Sequence, residues 1–128
     1  MKTALLLSDD LIFTSRIAGT ASDLGFAVKT AGSFAQLLAL AQQEAPACVI
    51  VDLAVIPGQI DGLVDWLRQH CQPPPRVVAY GAHVDVETLR KAREAGCDPV
   101  LPRSKFVEEL PRELPAWLGA SQPERPVP

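Results

Sequence analysis

Five consecutive apolar residues running into one carboxylate, Ala47-Cys48-Val49-Ile50-Val51-Asp52, constrain this 128-residue chain more than any other stretch. The run is too short to cross a membrane. Its β-branched, unalternating character predicts a strand covered on both faces. Strands of that kind belong to parallel sheets in α/β domains, whose sites form where the strands end. Asp52 stands at such an end.

The rest of the chain repeats one pattern around this strand. Thr3 to Leu7 is a short apolar run that stops at Ser8-Asp9-Asp10, and 11–24 then places Phe13, Ile17, Ala21 and Leu24 at helical spacing before Gly25. Residues 26–31 read as a weaker strand nearer the sheet edge. Ser33 with Gln36 forms a capping box ahead of a helix whose apolar face is Phe34, Leu37, Leu38 and Ala41. After the central strand, a loop over 53–60 leads to a third helix carrying Leu63, Val64 and Leu67, which must end before Pro73-Pro74-Pro75. A fourth strand covers 77–80, and a fourth helix capped by Asp85 is expected to turn Val86, Leu89 and Ala92 inward and to end at Gly96. Residues 99–101 form a brief fifth strand. A last helix over 105–118 contains Pro111 and Pro115, which are expected to start, kink or shorten it.

Strand and helix thus alternate five times, which implies a doubly wound parallel sheet with helices on both faces. The flavodoxin-like order 2-1-3-4-5 makes strands one and three neighbours, so Asp9, Asp10 and Asp52 converge in one crevice. The chain suits one domain over 1–118, with a disordered tail over 119–128 that is rich in proline. A net charge of -3 gives no basic footprint for nucleic acid, and nothing resembles a signal peptide or a membrane span. Cys48, Cys71 and Cys97 are odd in number and lack metal spacing, as expected of buried fillers in a reduced, cytoplasmic protein. His70 and His83 are isolated, and Trp66 and Trp117 read as half-buried helix residues.

Three carboxylates held together need a cation or shared protons at neutral pH. Mg²⁺ suits them, being a hard ion that takes one or two carboxylates and prefers phosphate oxygens for the rest. Beside such a metal an aspartate can act as nucleophile toward a phosphoryl group. Taken singly, Asp9 or Asp10 also reads as a helix N-cap and Asp52 as a turn residue.

On Leu5-Leu6-Leu7-Ser8-Asp9-Asp10, Asp23-Leu24-Gly25-Phe26-Ala27-Val28, Val49-Ile50-Val51-Asp52-Leu53, Ala92-Arg93-Glu94-Ala95-Gly96-Cys97-Asp98 and Leu101-Pro102-Arg103, the chain resembles the receiver (CheY-like) domains of two-component response regulators. The resemblance covers residues 3 to 118. It implies that Asp9 and Asp10 are a metal pair, that Asp52 accepts a phosphoryl group from a histidine kinase, and that the backbone carbonyl of Ala54 completes the metal ligands. Other positions depart from the family. Gly81 stands where it carries a hydroxyl at the end of strand four, Val100 replaces the switch aromatic of strand five, and Arg103-Ser104 replaces Lys-Pro. A non-proline cis bond costs about 2.5 to 4 kcal/mol, so the bond before Ser104 is expected to be trans. Arg103, or nearby Lys105, is the candidate cation facing a phosphate, and Arg103 could instead pair with Asp52 directly. The loop after Asp52 also differs, with Pro57 one residue and Asp61-Gly62 two residues late.

The expectation is therefore an atypical receiver that signals by binding a protein partner, kinase or downstream effector, as a monomer or weak homodimer. Its phosphorylation switch is weakened or absent. The alternative is a conventional Mg²⁺-dependent phosphoreceiver that couples differently, through Arg103 or Tyr80. An enzyme is not expected. A phosphatase of the haloacid-dehalogenase type needs a second acid where Ala54 stands, and a dinucleotide site needs glycines where Ser8-Asp9-Asp10 stands. Direct control of transcription is not expected from this chain.

Overall fold

The structure is a computed structural model that describes residues 2–119. Ten elements alternate along it: β1 (Thr3–Leu7), α1 (Leu11–Asp23), β2 (Ala27–Ala31), α2 (Phe34–Gln43), β3 (Cys48–Asp52), α3 (Ile60–His70), β4 (Arg76–Gly81), α4 (Val86–Ala95), β5 (Val100–Pro102) and α5 (Arg103–Trp117). The strands pair in parallel in the order β2-β1-β3-β4-β5, the flavodoxin-like order expected from the sequence. β1 and β3 are buried at every position, which is why neither alternates in polarity, whereas the edge strand β2 exposes Lys29 and Thr30.

Successive side chains of a strand point to opposite faces, so the sheet builds two cores. Leu5, Leu7, Val49, Val51, Val77 and Ala79 pack toward α2, α3 and α4, against Leu37, Leu63, Leu67 and Leu89. Ala4, Leu6, Cys48, Ile50, Val78 and Tyr80 pack toward α1 and α5, against Ile17, Phe106, Leu110, Leu114 and Trp117. Asp52 continues the second series, and this fixes which layer its carboxylate enters.

Helix ends follow the local chemistry. Ser33 Oγ accepts the Gln36 N–H at 3.2 Å, while Gln36 Oε1 accepts the Gly32 N–H at 2.8 Å, one residue earlier than in a standard capping box. Asp85 caps α4 through the Thr88 N–H, and Gly96 ends that helix at φ 106°, a left-handed conformation that glycine adopts without strain.

Four expectations need correction. Val86 does not turn inward: it is 67% exposed, because as the first residue of α4 it precedes the turn that docks Leu89 and Ala92 on the sheet. α5 starts at Arg103 and continues through both Pro111 and Pro115. The stripe Phe106, Leu110, Leu114 and Trp117 buries one face, and Pro111 lies on the exposed side, so packing outweighs the lost hydrogen bonds. Trp117 is accordingly core, at 5% exposure, and Leu24 lies past the end of α1 at 39%. The predicted tail, Gly119 apart, lies outside the described residues.

Candidate functional site

The site forms at the carboxyl ends of β1 and β3. Ser8, buried at the end of β1, accepts the Asp10 N–H on its Oγ at 3.2 Å, a turn that aims Asp10 at the first turn of α1. Asp10 then caps that helix, its Oδ1 accepting the Phe13 N–H at 3.0 Å. Asp9 is exposed beside it. Asp52 ends β3 with 2% of its surface exposed, and its Oδ1 accepts the Ala54 N–H at 3.0 Å. Ala54, expected to lend its carbonyl to a metal, thus meets Asp52 through its N–H.

Arg103, the first residue of α5, reaches across both carboxylates. Its Nη2 lies 3.5 Å from Asp52 Oδ2 and its Nη1 3.9 Å from Asp10 Oδ2. The guanidinium carbon also sits 5.4 Å from the Phe13 ring centroid and 5.8 Å from that of Tyr80, within cation–π range of both. One planar, permanently charged group therefore bridges the two acids while resting on two rings. Its bond to Ser104 is not among the cis peptides of the described residues, which fall at Gln72-Pro73 and Asp98-Pro99.

Burial holds the Asp52 carboxyl above its ordinary range. The Ala54 N–H and then Arg103 pull it down, and the negative charges of Asp9 and Asp10 push it up again. Next to it in the sheet register is Tyr80, fully buried and stacked at 4.6 Å on Phe106 and tilted at 5.0 Å against Phe13. Its hydroxyl is raised by burial and by Asp52; it lies toward Ser8 yet completes no hydrogen bond. Phe13 and Ser8 are the members of this group that sequence reasoning did not place in the site. Ser8, immediately before the acid pair, carried the signal of a turn.

The other candidate positions lie elsewhere. Gly81, at the end of β4, faces the opposite core: a Cβ there would stand 3.4 Å from Leu89 Cδ2 and 3.5 Å from Leu53 Cδ1. Val100 is buried in β5, opposite Ala79. Ser104 is exposed on a groove shared with Phe13, Arg16, Ala82, His83, Arg103 and Val107. Lys105 pairs along its own helix with Glu108 at 3.9 Å and Glu109 at 3.8 Å rather than with Asp52. His70 stacks on Trp66 and directs Nδ1 at its carbonyl.

A hard dication needs free carboxylate oxygens. Asp10 and Asp52 each engage one oxygen with a backbone N–H and turn the other to Arg103, and among the described residues no three His, Cys, Asp or Glu side chains gather closely enough to hold a metal ion. As arranged, the pocket does not fit Mg²⁺.

No protein-family model matches the chain. It is 31% identical over 125 residues to the photosynthetic apparatus regulatory protein RegA of Cereibacter sphaeroides, spanning 98% of this chain and 67% of that protein. This chain belongs to the response-regulator receiver family. RegA of Rhodobacter capsulatus is 27% identical over 128 residues, with 69% of its length covered. Among solved structures, a response regulator from Thermotoga maritima superposes with a TM-score of 0.79 at 17% identity, over 94% of this receiver and 99% of that chain. The receiver domain of NtrX from Brucella abortus gives 0.76 at 25% identity, over 92% and 99%. Receivers of this family serve two-component signalling, generally without enzymatic activity, by interacting with kinases and effectors, and they generally bind Mg²⁺. In this one, no helix among the described residues is long and apolar enough to cross a membrane.

Proposed function

We propose that this chain is an atypical receiver: a cytoplasmic signalling domain that acts by binding a protein partner, with its phosphorylation switch weakened or lost. The observation that carries the reading is the end of β4. Gly81 offers no hydroxyl, and the space beside it is bounded by the Leu53 and Leu89 side chains. A phosphoryl group on Asp52 would find no hydroxyl at position 81 to draw toward it, and the one hydroxyl of β4 beside Asp52, that of Tyr80, sits on a ring packed between Phe13 and Phe106. A ligand shifts an equilibrium only through interactions that differ between the two states, and Val100 likewise supplies no ring to reorient. Binding through a fixed surface, as monomer or weak homodimer, needs no such element.

The test is treatment with a small phosphodonor and Mg²⁺, read by intact mass and by amide NMR together. The reading expects amide changes confined to the neighbourhood of Asp52, whatever the adduct yield. Changes that spread across β4, α4 and β5, and that vanish in Asp52→Asn, would overturn it in favour of a conventional phosphoreceiver.

A further inference from the structure

The misfit between the acid pocket and a dication has a specific cause. Arg103 sets its two terminal nitrogens on the two carboxylate oxygens, one from Asp10 and one from Asp52, that are not already held by backbone N–H groups. The side chain is tethered three ways: by the two acids, by the rings of Phe13 and Tyr80, and by its place one turn before Phe106, which is wholly buried. It is nevertheless 43% exposed and borders the open groove lined by Arg16, Ala82, His83, Ser104 and Val107, so it has somewhere to go.

We infer that Arg103 is a resident counter-ion competing with divalent cations for Asp10 and Asp52, so that metal enters this pocket only when Arg103 swings outward into the groove. A guanidinium cannot be deprotonated away at neutral pH. The competitor is therefore always charged, and being part of the chain it does not dilute. The pocket is gated against metal by its own α5 rather than left open to solvent ions. Nothing in this requires Asp52 to be phosphorylated, and the inference stands or falls apart from the coupling argument above.

Mn²⁺ alone is the probe, titrated into the full chain and read by paramagnetic broadening of the amides of residues 8–10 and 52–54. Taking one positive charge from beside two carboxylates should tighten Mn²⁺ binding about tenfold or more in Arg103→Gln. Arg103→Lys should fall between, because a single ammonium cannot bridge both acids as the fork does. The gain should disappear in Arg103→Gln combined with Asp52→Asn. Equal affinity in the wild type and Arg103→Gln overturns the inference, as does a gain that survives Asp52→Asn. Should Arg103→Gln lose its native amide dispersion, the lysine variant decides alone: tighter binding than wild type supports the gate and equal binding refutes it. Failure here would leave the response to a phosphoryl group untouched, since no phosphoryl group is present.

Discussion

The carboxyl ends of β3 and β4 lie side by side in one sheet, yet they face opposite layers. Asp52 follows Cys48 and Ile50 into the α1/α5 layer, where it meets Arg103, Tyr80 and the acid turn of β1. Gly81 follows Val77 and Ala79 into the α3/α4 layer, where it meets Leu53 and Leu89. The first end carries charged groups bridged by an arginine; at the second, the side chains around Gly81 are apolar. On the reading proposed above, holding charge and transmitting it are separate tasks of a receiver, and the two strand ends of this chain differ in the groups they offer for each.

The largest effect should come from the aromatic floor of the charged end. Tyr80→Ala empties a fully buried site stacked on Phe13 and Phe106 and should lower the unfolding free energy by about 3–5 kcal/mol. Tyr80→Phe removes a buried hydroxyl that has no partner and should stay within about 1 kcal/mol of wild type. Denaturant titration checks both. A large loss in Tyr80→Phe would show that the hydroxyl holds the acid pocket together.

At the apolar end the expected effects are smaller. Gly81→Thr must fit three further heavy atoms against Leu89 and Leu53 and should lose about 1–3 kcal/mol, read in the same titration. Gly81→Ala makes only ordinary contacts and should not lose more than about 1 kcal/mol. If threonine were accepted without loss, the apolar end would be roomier than its packing indicates, and the contrast with the acid pocket would weaken.

Sequence reasoning reached the fold because each level of pattern agreed. β1 and β3 are apolar without alternation, Ser33 and Asp85 cap where caps were expected, and Gly96 ends α4 with a left-handed residue. It failed where tertiary packing overrode a local rule. Pro111 and Pro115 argue against a long α5, but the Phe106 to Trp117 stripe secures it; Val86 fits the helical period yet precedes the docked turn. Of the candidate site, the convergence of β1 and β3 was legible, and so was the pairing of Arg103 with Asp52 as one of two options. The second contact of Arg103, to Asp10, and its seat on Phe13 and Tyr80 were not, because they depend on where the first turn of α5 falls relative to α1.

A smaller effect concerns pH. Burial raises the folded carboxyl of Asp52 above its ordinary value of 3.8, so folding favours its protonated form. Its contribution to stability is full below that value and is lost as the pH climbs through the raised folded value. Asp52→Asn should therefore be slightly more stable than wild type at neutral pH, on the order of 1 kcal/mol, with the gap closing in acid. A variant less stable at neutral pH would mean that the bridge to Arg103 outweighs the burial of charge. No change at all is expected from thiol reagents on the native protein. Burial pushes the Cys48 and Cys97 thiols up to about 12 and also raises Cys71, so labelling should await unfolding.

The separation of holding from transmitting is tested most directly by titrating beryllofluoride with Mg²⁺ and following every backbone amide. Beryllofluoride mimics the phosphoryl group without needing a kinase. Shifts limited to residues 8–10, 52–54 and 103–104, with β4, α4 and β5 unmoved at saturation, are the predicted result. A concerted shift through Gly81, α4 and Val100 would contradict it.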